Sequence, residues 1–348
     1  MTASVATDLT EIRALQRQAI ERLDEVFDRL DRLHAPALIA FIHIPKTAGG
    51  TVRAMLRAGS VPTIDTGNFL SFPERTKRKL ARKLVAGRWA DGDVAIGHVP
   101  YGTYHAHLPP GIRYMTFLRE PVDRVISHFA RHIDTPRSRY KTTKPRFQPA
   151  SSLEQALASP DVPDLDNLQT RFLCSDPAPV GPLPASALED AKRNLAGLAF
   201  VGIQERFAES LVLFQRSLGV RLEPAINRHV NAYRPSLDEI GDRERELIEE
   251  HTRLDAELYR FARNLFERRV ASAGQGLAAE AEALRAKTAA VNAAYDAELQ
   301  AAVDWLEREV PRGLDKDVRS DAAAEAGISG LLYRRAVHRV ANRRRGGQ

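Results

Sequence analysis

The chain has 348 residues, of which 43% are hydrophobic and 28% are charged. A chain of this length can bury a large core, and its composition is too apolar for a disordered protein. No apolar stretch is long enough to span a bilayer. The single cysteine, Cys174, can form no intrachain disulfide and lacks the spacing of a zinc site, which argues against redox and zinc chemistry. We expect a soluble, folded protein.

The chain is basic, with a formal net charge of +6 and a sequence pI of about 9.5. Such a charge suits an anionic ligand, for example a phosphorylated cofactor, a sulfated sugar or a nucleic acid. The basic residues cluster at residues 73–83, 137–146 and 334–345. Solvated helix faces and a C-terminal tail account for most of these clusters. We therefore do not expect nucleic acid as a partner.

The first 36 residues are predicted to contain an amphipathic helix. Apolar residues recur at helical spacing from about residue 8 to residue 34. The clearest repeat consists of Ile20, Leu23, Phe27 and Leu30. Such a helix can pair with its copy in a homodimer or fold back on the body. The opening residues have no basic start followed by an apolar core and a cleavage site, so a cytoplasmic location is expected.

Short apolar runs in the central region predict the strands of a parallel sheet. The first run, LIAFIHI at residues 38–44, leads into a glycine-containing turn and a helix-compatible segment. Further strand candidates lie at residues 94–97, 114–118 and 198–203, separated by helical or loop sequence. This alternation predicts an α/β fold with a parallel sheet flanked by helices, in a domain at residues 37–269.

The rest of the chain is predicted to be helical, apart from one long loop. Residues 135–152 are rich in Pro, Ser, Thr and Lys, and such loops often carry substrate contacts. A long charged helix is predicted at about residues 237–268. Alanine-rich helical stretches then run from residue 271 to about residue 345. They define a C-terminal extension at residues 270–348 with a basic tail, in which no chemistry is found.

The sharpest local signal is the segment PKTAGGT at residues 45–51, between the first predicted strand and a helix. At such a position backbone N–H groups, at the positive end of the helix dipole, point toward a bound anion. The small residues let a phosphate approach, Thr47 and Thr51 add hydroxyl donors, and Lys46 supplies a mobile positive charge. The segment predicts a phosphate cradle in a P-loop-like α/β fold with N-terminal and C-terminal helical extensions.

Two other interpretations of this loop stay open. The Walker pattern G-x-x-x-x-G-K-[ST] is absent because Lys46 precedes the glycines, which weakens the interpretation as an ATPase or kinase. The other alternative is a simple strand-to-helix turn that contains glycines. The position of Lys46 and the two threonines favours the phosphate site over that turn.

The second signal is FLREPVDRVISHF at residues 117–129. Pro121 suits the first position of a helix. That helix has a buried stripe made of Val122, Val125, Ile126 and Phe129. Arg119 at the strand end and Ser127 two turns along can therefore face a common cleft. Arg is a natural partner of a terminal phosphate because its fork binds two oxygens, although Arg119 as a surface ion-pair former is the alternative.

Together the two segments resemble the 5′-phosphosulfate loop and the 3′-phosphate-binding motif of the sulfotransferases that use 3′-phosphoadenylyl sulfate (PAPS). They are similar to the branch of carbohydrate sulfotransferases such as heparan sulfate 2-O-sulfotransferase. There, a lysine in a Pro-Lys-Thr loop contacts the sulfuryl group, and an arginine and a serine eight residues later hold the 3′-phosphate. The resemblance implies donor contacts from Lys46, Thr47, Ala48, Gly49, Gly50, Thr51, Arg119 and Ser127.

Further stretches add to this resemblance, which covers about residues 38–266. DNLQTRFL at residues 166–173 is similar to the acceptor-side helix of the family, and VGIQERF at residues 201–207 to a later strand. NAYRPSL at residues 231–237 and LDAELY at residues 254–259 are similar to the C-terminal end of the family. The N-terminal helix and the tail lie outside the match.

The resemblance also implies a catalytic base, His98, in a Gly-His-Val segment. His98 follows a predicted strand, where parallel α/β sheets bind their ligands, and histidine is suited to accept a proton near neutral pH. The alternative is a loop histidine bonded to the backbone. Lys46 is predicted to neutralise the charge on the leaving oxygen of an in-line sulfuryl transfer. No divalent metal is expected, because the sequence has no acidic cluster.

The sequence thus predicts a PAPS-dependent sulfotransferase whose acceptor is a hydroxyl of a carbohydrate or glycoconjugate. One rival is a P-loop kinase or NTPase, which needs a hydroxyl that binds magnesium after the lysine and an acidic residue at a strand end. Thr47 can supply the hydroxyl, but Arg119 stands where the acidic residue is needed. The other is a non-enzymatic protein that binds nucleic acid or a membrane surface through its basic tail. A homodimer through the terminal helices is a further hypothesis.

Overall fold

The computed structural model describes the chain at residues 38–68, 92–108, 111–132, 152–157, 163–176, 181–226, 237–309 and 322–345. The predicted N-terminal helix at residues 8–34 lies outside the described residues. The predicted loop at residues 135–152 does so except for its last residue, and NAYRPSL except for Leu237. The basic clusters at residues 73–83 and 137–146 also lie outside. These predictions stay predictions.

Five parallel strands form one sheet with the strand order β2-β3-β1-β4-β5. The strands are β1 (Ile39–Ile42), β2 (Thr63–Asn68), β3 (Val94–His98), β4 (Arg113–Leu118) and β5 (Phe200–Ile203). Because every pair is parallel, all five carboxyl ends lie at one edge of the sheet. The first strand is central, so the loop that follows it has a neighbouring strand end on either side.

Four of these strands lie in the predicted apolar runs, and most of their residues are buried because helices flank the sheet. The fifth, β2, was not predicted. Its sequence, TIDTGN, is polar, and it lies at the edge of the sheet, where it pairs only with β3. Its register shifts between Asp65 and Gly67. An edge strand has one hydrogen-bonded neighbour and needs no continuous apolar sequence.

The helices of the α/β fold pack around this sheet, which confirms the predicted fold class. In chain order they are α1 (Gly49–Ala58), α2 (Tyr101–His107), α3 (Pro121–His132), α4 (Leu153–Leu157), α5 (Leu168–Leu173), α6 (Ala185–Ala196), α7 (Phe207–Leu218), α8 (Asp242–His251), α9 (Arg253–Ser272), α10 (Leu277–Glu309) and α11 (Gly330–Arg345). The main core joins the strands to α1, α5, α6, α7 and α9.

Helix α3 begins at Pro121, as predicted, and its apolar stripe is buried. Val122, Val125 and Ile126 pack against α4 and against Ile248 of α8, with Phe129 at the margin of the cluster. This cluster is separate from the main core and holds α3 against the carboxyl edge of the sheet. The stripe therefore fixes the helix that follows Arg119.

The charged segment predicted as one helix at about residues 237–268 is two helices, α8 and α9, which meet at Thr252. The Thr252 hydroxyl donates to the carbonyl of Ile248 at 2.7 Å. The side-chain oxygen of Asn167 accepts the N–H of Leu254 at 2.8 Å and so caps the second helix. Because this cap comes from a distant part of the chain, the local charge pattern did not reveal the break.

The C-terminal extension contains the long helix α10 and the helix α11. The beginning of α10 belongs to the main core through Leu277 and Ala281. Its second half forms a separate apolar cluster with α11, in which Val303 and Ala336 are fully buried. The predicted domain boundary near residue 270 stays a prediction. Across the described residues, no helix combines the length and the apolar character needed to cross a membrane.

Candidate active site

The residues predicted to carry the chemistry meet at the carboxyl edge of the sheet. Lys46 lies in the loop after β1, His98 ends β3, and Arg119 follows β4. These three strands are neighbours in the sheet, with β1 between the other two. The crevice at the carboxyl ends of such strands is the usual ligand site of open parallel sheets. The topology therefore brings together residues that lie far apart in the sequence.

The loop after β1 adopts an unusual backbone. Lys46 has φ = 72° and Ala48 has φ = 70°, whereas Thr47 between them does not have a positive φ. Non-glycine residues seldom adopt this conformation, and such residues cluster at functional sites. Alternation of this kind turns successive backbone N–H groups toward one side and makes a concave anion site. The loop geometry thus fits the predicted phosphate cradle.

The cradle ends at the first turn of α1. Gly49 has no room for a side chain, because a Cβ there would lie 2.0 Å from Cδ2 of His43. The N–H groups of Gly49 and Gly50 lie in the first turn and have no carbonyl acceptor within the helix. The N–H of Thr51 already donates to the carbonyl of Ala48 at 2.9 Å. The first two glycine amides are therefore the helix groups that can face an anion.

The hydroxyl of Thr47 does not point toward the predicted anion. Thr47 is fully buried, and its hydroxyl donates to the carbonyl of Ile44 at 2.9 Å. This bond closes the loop on itself across the left-handed turn at Lys46. Donor contact from Thr47 is therefore left to its backbone N–H, whereas the side chain stabilises the loop.

Arg119 contacts the loop directly. Its Nη1 donates to the carbonyl oxygen of Lys46 at 3.0 Å, and its Nε donates to Asp123 at 2.7 Å. Nη2 is 2.5 Å from the same carboxylate oxygen. A guanidinium has five N–H groups, so these contacts leave one N–H on each terminal nitrogen. These two N–H groups are the donors that remain to hold a phosphate.

The surroundings of Arg119 are acidic and largely buried. Burial lowers the pKa of Arg119, and the carboxylates of Glu205 and Glu120 oppose that shift. Glu120 caps α3 by accepting the N–H groups of Val122 at 3.1 Å and Asp123 at 2.7 Å. Burial raises the pKa of Glu120, and the nearby Glu205 raises it further. Arg119 is thus a cation bonded by the Asp123 carboxylate, with the carboxylates of Glu120 and Glu205 nearby.

Ser127 lies on the same helix face as Asp123, four residues further along α3. It is 9% exposed, and it lies one turn beyond the carboxylate that holds Arg119. One turn corresponds to about 5 Å along the helix axis. The contact of Ser127 with a phosphate stays a prediction.

His98 is held by the strand next to it. Its Nδ1 is 2.7 Å from the carbonyl oxygen of His43, and the two imidazole rings lie with their centroids 4.2 Å apart. A carbonyl oxygen can only accept, so Nδ1 must carry the proton in the neutral ring. The lone pair is then on Nε2, as a general base requires. The backbone bond named above as the alternative to catalysis is thus present and favours the catalytic tautomer.

Gln169 was not among the predicted site residues, although it lies in the DNLQTRFL segment. All six residues of α5 are buried. The Gln169 amide bonds both backbone groups of Arg119, accepting its N–H at 3.0 Å and donating to its carbonyl at 2.9 Å. The segment therefore contacts the predicted donor site from its buried side, through the backbone of Arg119. Its resemblance to an acceptor-side helix stays a prediction.

Comparison with known proteins gives one family model and several curated relatives. A model described as galactose-3-O-sulfotransferase matches residues 190–299. Heparan-sulfate 6-O-sulfotransferase 1 of Cricetulus griseus is 28% identical over 279 residues, which cover 67% of this chain and 68% of the relative. Heparan-sulfate 6-O-sulfotransferase 3-B of Danio rerio is 28% identical over 183 residues, 45% of this chain and 43% of the relative.

A shorter match concerns heparan-sulfate 6-O-sulfotransferase 3 of Mus musculus, which is 35% identical over 82 residues. That match covers 24% of this chain and 17% of the relative. The chain therefore spans less than half the length of the zebrafish and mouse relatives. These names differ in subtype from the 2-O-sulfotransferase whose motifs the sequence resembles, but they belong to the same carbohydrate branch.

A parallel α/β sheet whose central strand leads through a left-handed loop into a helix is the architecture of P-loop-like proteins. The motifs and the matched relatives indicate which of these proteins the chain resembles. The chain is thus similar, in its motifs and in the matched segments, to the carbohydrate sulfotransferases of the sulfotransferase superfamily.

Proposed function

We propose that the protein is an enzyme that transfers a sulfuryl group from PAPS to a hydroxyl of a carbohydrate or glycoconjugate. The single observation that carries this proposal is the contact between Arg119 and the backbone of Lys46 at 3.0 Å. That contact joins the two motifs that the family uses for the 3′-phosphate and the 5′-phosphosulfate. The similarity to heparan-sulfate 6-O-sulfotransferases supports the same reaction class.

The described residues fit a donor with a phosphate at each end. The glycine amides at the start of α1 and the left-handed loop at Lys46 suit the 5′-phosphosulfate. The two remaining N–H groups of Arg119, with the hydroxyl of Ser127 one turn beyond, suit the 3′-phosphate. Lys46 and Arg119 are joined through one carbonyl, so the two phosphate sites are built as a unit.

Transfer needs a proton acceptor and a cation near the leaving oxygen. His98, with its lone pair on Nε2, takes the proton of the acceptor hydroxyl. The hydroxyl oxygen then forms a bond to sulfur while the bond between sulfur and the bridging phosphate oxygen breaks. The electron pair of that bond stays on the 5′-phosphate of the leaving 3′-phosphoadenosine 5′-phosphate. Lys46 stabilises the charge that builds there.

A kinase or NTPase is less well supported. In P-loop NTPases the hydroxyl after the lysine faces the phosphates and binds magnesium. Here the buried Thr47 hydroxyl donates to the carbonyl of Ile44. Arg119 follows β4 where an acidic residue would be needed, and the acidic residues near it bond Arg119 or backbone amides.

A protein that acts only through its basic tail is also less well supported. Part of the basic character of α11 has partners on α10. The guanidinium of Arg335 lies 5.3 Å from the ring centroid of Tyr295, and Arg339 lies 4.0 Å from Asp296. These contacts explain basic residues on α11 without a nucleic acid or a lipid surface.

The acceptor, the oligomeric state and the location are the finer parts of the proposal. The names of the relatives favour a polysaccharide of the heparan-sulfate type over a small alcohol, and the basic net charge suits such an anionic chain. Homodimerisation through the terminal helices and a cytoplasmic location remain proposals that rest on the sequence alone.

The first test is calorimetric binding of 3′-phosphoadenosine 5′-phosphate to the full chain, with ATP and magnesium as the competing ligand. We expect micromolar binding that Arg119→Ala weakens by about 2 kcal/mol, as for a lost charge-assisted contact. Arg193→Ala, which removes an exposed arginine on α6, is the matched control and leaves binding unchanged. Absence of binding, or preference for ATP with magnesium, would refute the donor and favour the kinase.

A further inference from the structure

The backbone of Arg119 is held by one side chain. The amide of Gln169 accepts the Arg119 N–H at 3.0 Å and donates to the Arg119 carbonyl at 2.9 Å. A side-chain amide that bonds both backbone groups of one residue acts like a short neighbouring strand. It continues the hydrogen bonding of the sheet past the end of β4 at Leu118. The position of Arg119 is therefore set by α5 as well as by its own strand.

Gln169 is itself fixed by two helices that cap each other. The carboxylate of Asp255, in α9, accepts the N–H of Gln169 at 3.0 Å and of Thr170 at 2.7 Å. In return the side-chain oxygen of Asn167, before α5, accepts the N–H groups of Leu254 at 2.8 Å and Asp255 at 3.1 Å. Each helix begins with its amides satisfied by the other, which is a reciprocal form of capping.

The residues of this network are buried away from the solvent, where the loss of a hydrogen bond is costly. Gln169, Thr170 and Asp255 are all fully buried, as is the neighbouring Arg124. The guanidinium of Arg124 donates to the carbonyl of Asp164 at 2.9 Å. Burial raises the pKa of Asp255, and the positive charge of Arg124 opposes that shift. Buried polar groups are costly unless they are hydrogen-bonded. Asp255 bonds Gln169 and Thr170, whereas Nε and Nη1 of Arg124 have no hydrogen-bond partner among the described residues.

The next link reaches the loop. Arg119, whose backbone Gln169 holds, donates from Nη1 to the carbonyl of Lys46 at 3.0 Å. The two N–H groups that remain for a phosphate lie on the same fork. A shift of the Arg119 backbone therefore moves the phosphate-binding edge of the guanidinium, whereas the loop is also closed by its own bond from Thr47 to the carbonyl of Ile44.

We infer that Gln169 is a positioning residue for donor binding, which acts on the 3′-phosphate through Arg119 and touches neither phosphate. The inference rests on the proposed function, because it assumes that Arg119 holds the 3′-phosphate. It predicts an effect confined to ligands that carry this phosphate. A role in stability alone would weaken all ligands alike.

The test uses Gln169→Met in the full chain, which keeps the approximate volume and removes both hydrogen bonds. We expect the affinity for 3′-phosphoadenosine 5′-phosphate to fall about tenfold, which corresponds to roughly one or two lost hydrogen bonds. The affinity for adenosine 5′-monophosphate, which lacks the 3′-phosphate, stays unchanged. Gln215→Met is the matched control, because Gln215 accepts the N–H of Leu222 at 2.8 Å away from the site.

A double-mutant cycle separates positioning from direct contact. In the Arg119→Ala background, Gln169→Met is expected to cause no further loss of affinity for 3′-phosphoadenosine 5′-phosphate. Full additivity, or equal losses for the two nucleotides, overturns the inference while the proposed function stands. If the parent chain binds no 3′-phosphoadenosine 5′-phosphate, the proposed function itself fails, and with it the role given to Gln169.

A second variant covers the case in which Gln169→Met does not fold, as judged by thermal unfolding. Gln169→Glu keeps an acceptor for the Arg119 N–H and loses the donor to the Arg119 carbonyl. We expect its affinity for 3′-phosphoadenosine 5′-phosphate to lie between those of the parent and of Arg119→Ala. An affinity equal to that of the parent contradicts the inference.

Discussion

The carboxyl edge of the sheet and the cluster between α10 and α11 are built in opposite ways. At the sheet edge the left-handed residues Lys46 and Ala48 lie beside the largely buried charge of Arg119. In the C-terminal cluster the interior is apolar, with Val303 and Ala336 fully buried, and Arg339 lies at the surface. Unusual backbone and buried charge lower stability and are found where chemistry is done, whereas an apolar cluster serves stability.

The matched family model and the predicted site lie in different parts of the chain. The matched family model covers residues 190–299, which include β5 and much of α10 but none of the predicted site residues. The site is recognised instead by two short motifs around Lys46 and Arg119. The two regions are nevertheless connected, because Asp255 in the matched part holds the amides of Gln169, and Gln169 holds Arg119. The scaffold therefore supports the chemistry through a few buried hydrogen bonds.

The largest expected effect separates the two roles of His98. His98→Asn keeps a side-chain N–H that can donate to the carbonyl of His43, as Nδ1 does at 2.7 Å, but removes the lone pair on Nε2. If His98 is the base, sulfuryl transfer falls by roughly a thousandfold, within the usual range for general bases. Binding of 3′-phosphoadenosine 5′-phosphate stays at the parent level. Steady-state transfer to a heparan-type acceptor and calorimetry measure the two quantities.

The acidic limb of the pH–rate profile gives a second readout for the same variant. With His98 as the base, protonation of the ring stops transfer in the parent, and that limb disappears in His98→Asn. A variant that retains the parent rate shows that the bond to His43 is the whole function of this histidine. His251→Asn, on α8, is a matched control and leaves the profile unchanged.

The next effect concerns Lys46, whose charge is expected to act in the transition state. Lys46→Met keeps the length of the side chain and the strain of the left-handed backbone but removes the cation. We expect the rate of transfer to fall by about a hundredfold, as when one transition-state donor is lost. Lys192→Met removes a half-buried lysine on α6, which pairs with Glu189 at 2.7 Å, and is the control. If the affinity for 3′-phosphoadenosine 5′-phosphate falls as much as the transfer rate, Lys46 only binds the donor.

Much of this site could be predicted because its chemistry is local in the sequence. The loop at Lys46 directly follows an apolar strand, and Pro121 begins the helix that follows Arg119. Gln169 and Asp255 were missed because their partners are remote. Gln169 bonds Arg119 across 50 positions, and Asp255 bonds Gln169 across 86. A hydrophobic pattern carries no information about such polar pairs.

Two further differences have physical causes of the same kind. The hydroxyl of Thr47 was predicted to face the anion, but the left-handed turns on either side direct it to the carbonyl of Ile44. Strand β2 was missed because an edge strand with the sequence TIDTGN has no apolar alternation. In both cases the backbone conformation depends on contacts that appear only in the folded chain.

The smallest expected effect on transfer comes from the C-terminal cluster. Leu306 is 8% exposed and packs between α10 and α11, so Leu306→Ala is expected to cost about 2 to 5 kcal/mol of local stability. Hydrogen exchange at the amides of α11 measures that loss, and Val337→Ala, at an exposed position, is the control. The transfer rate per folded molecule stays unchanged, because the beginning of α10 is held by the main core through Leu277. If the transfer rate falls in step with the loss of hydrogen-exchange protection in α11, the cluster supports the site. The separation of roles between the sheet edge and the C-terminal cluster is then wrong.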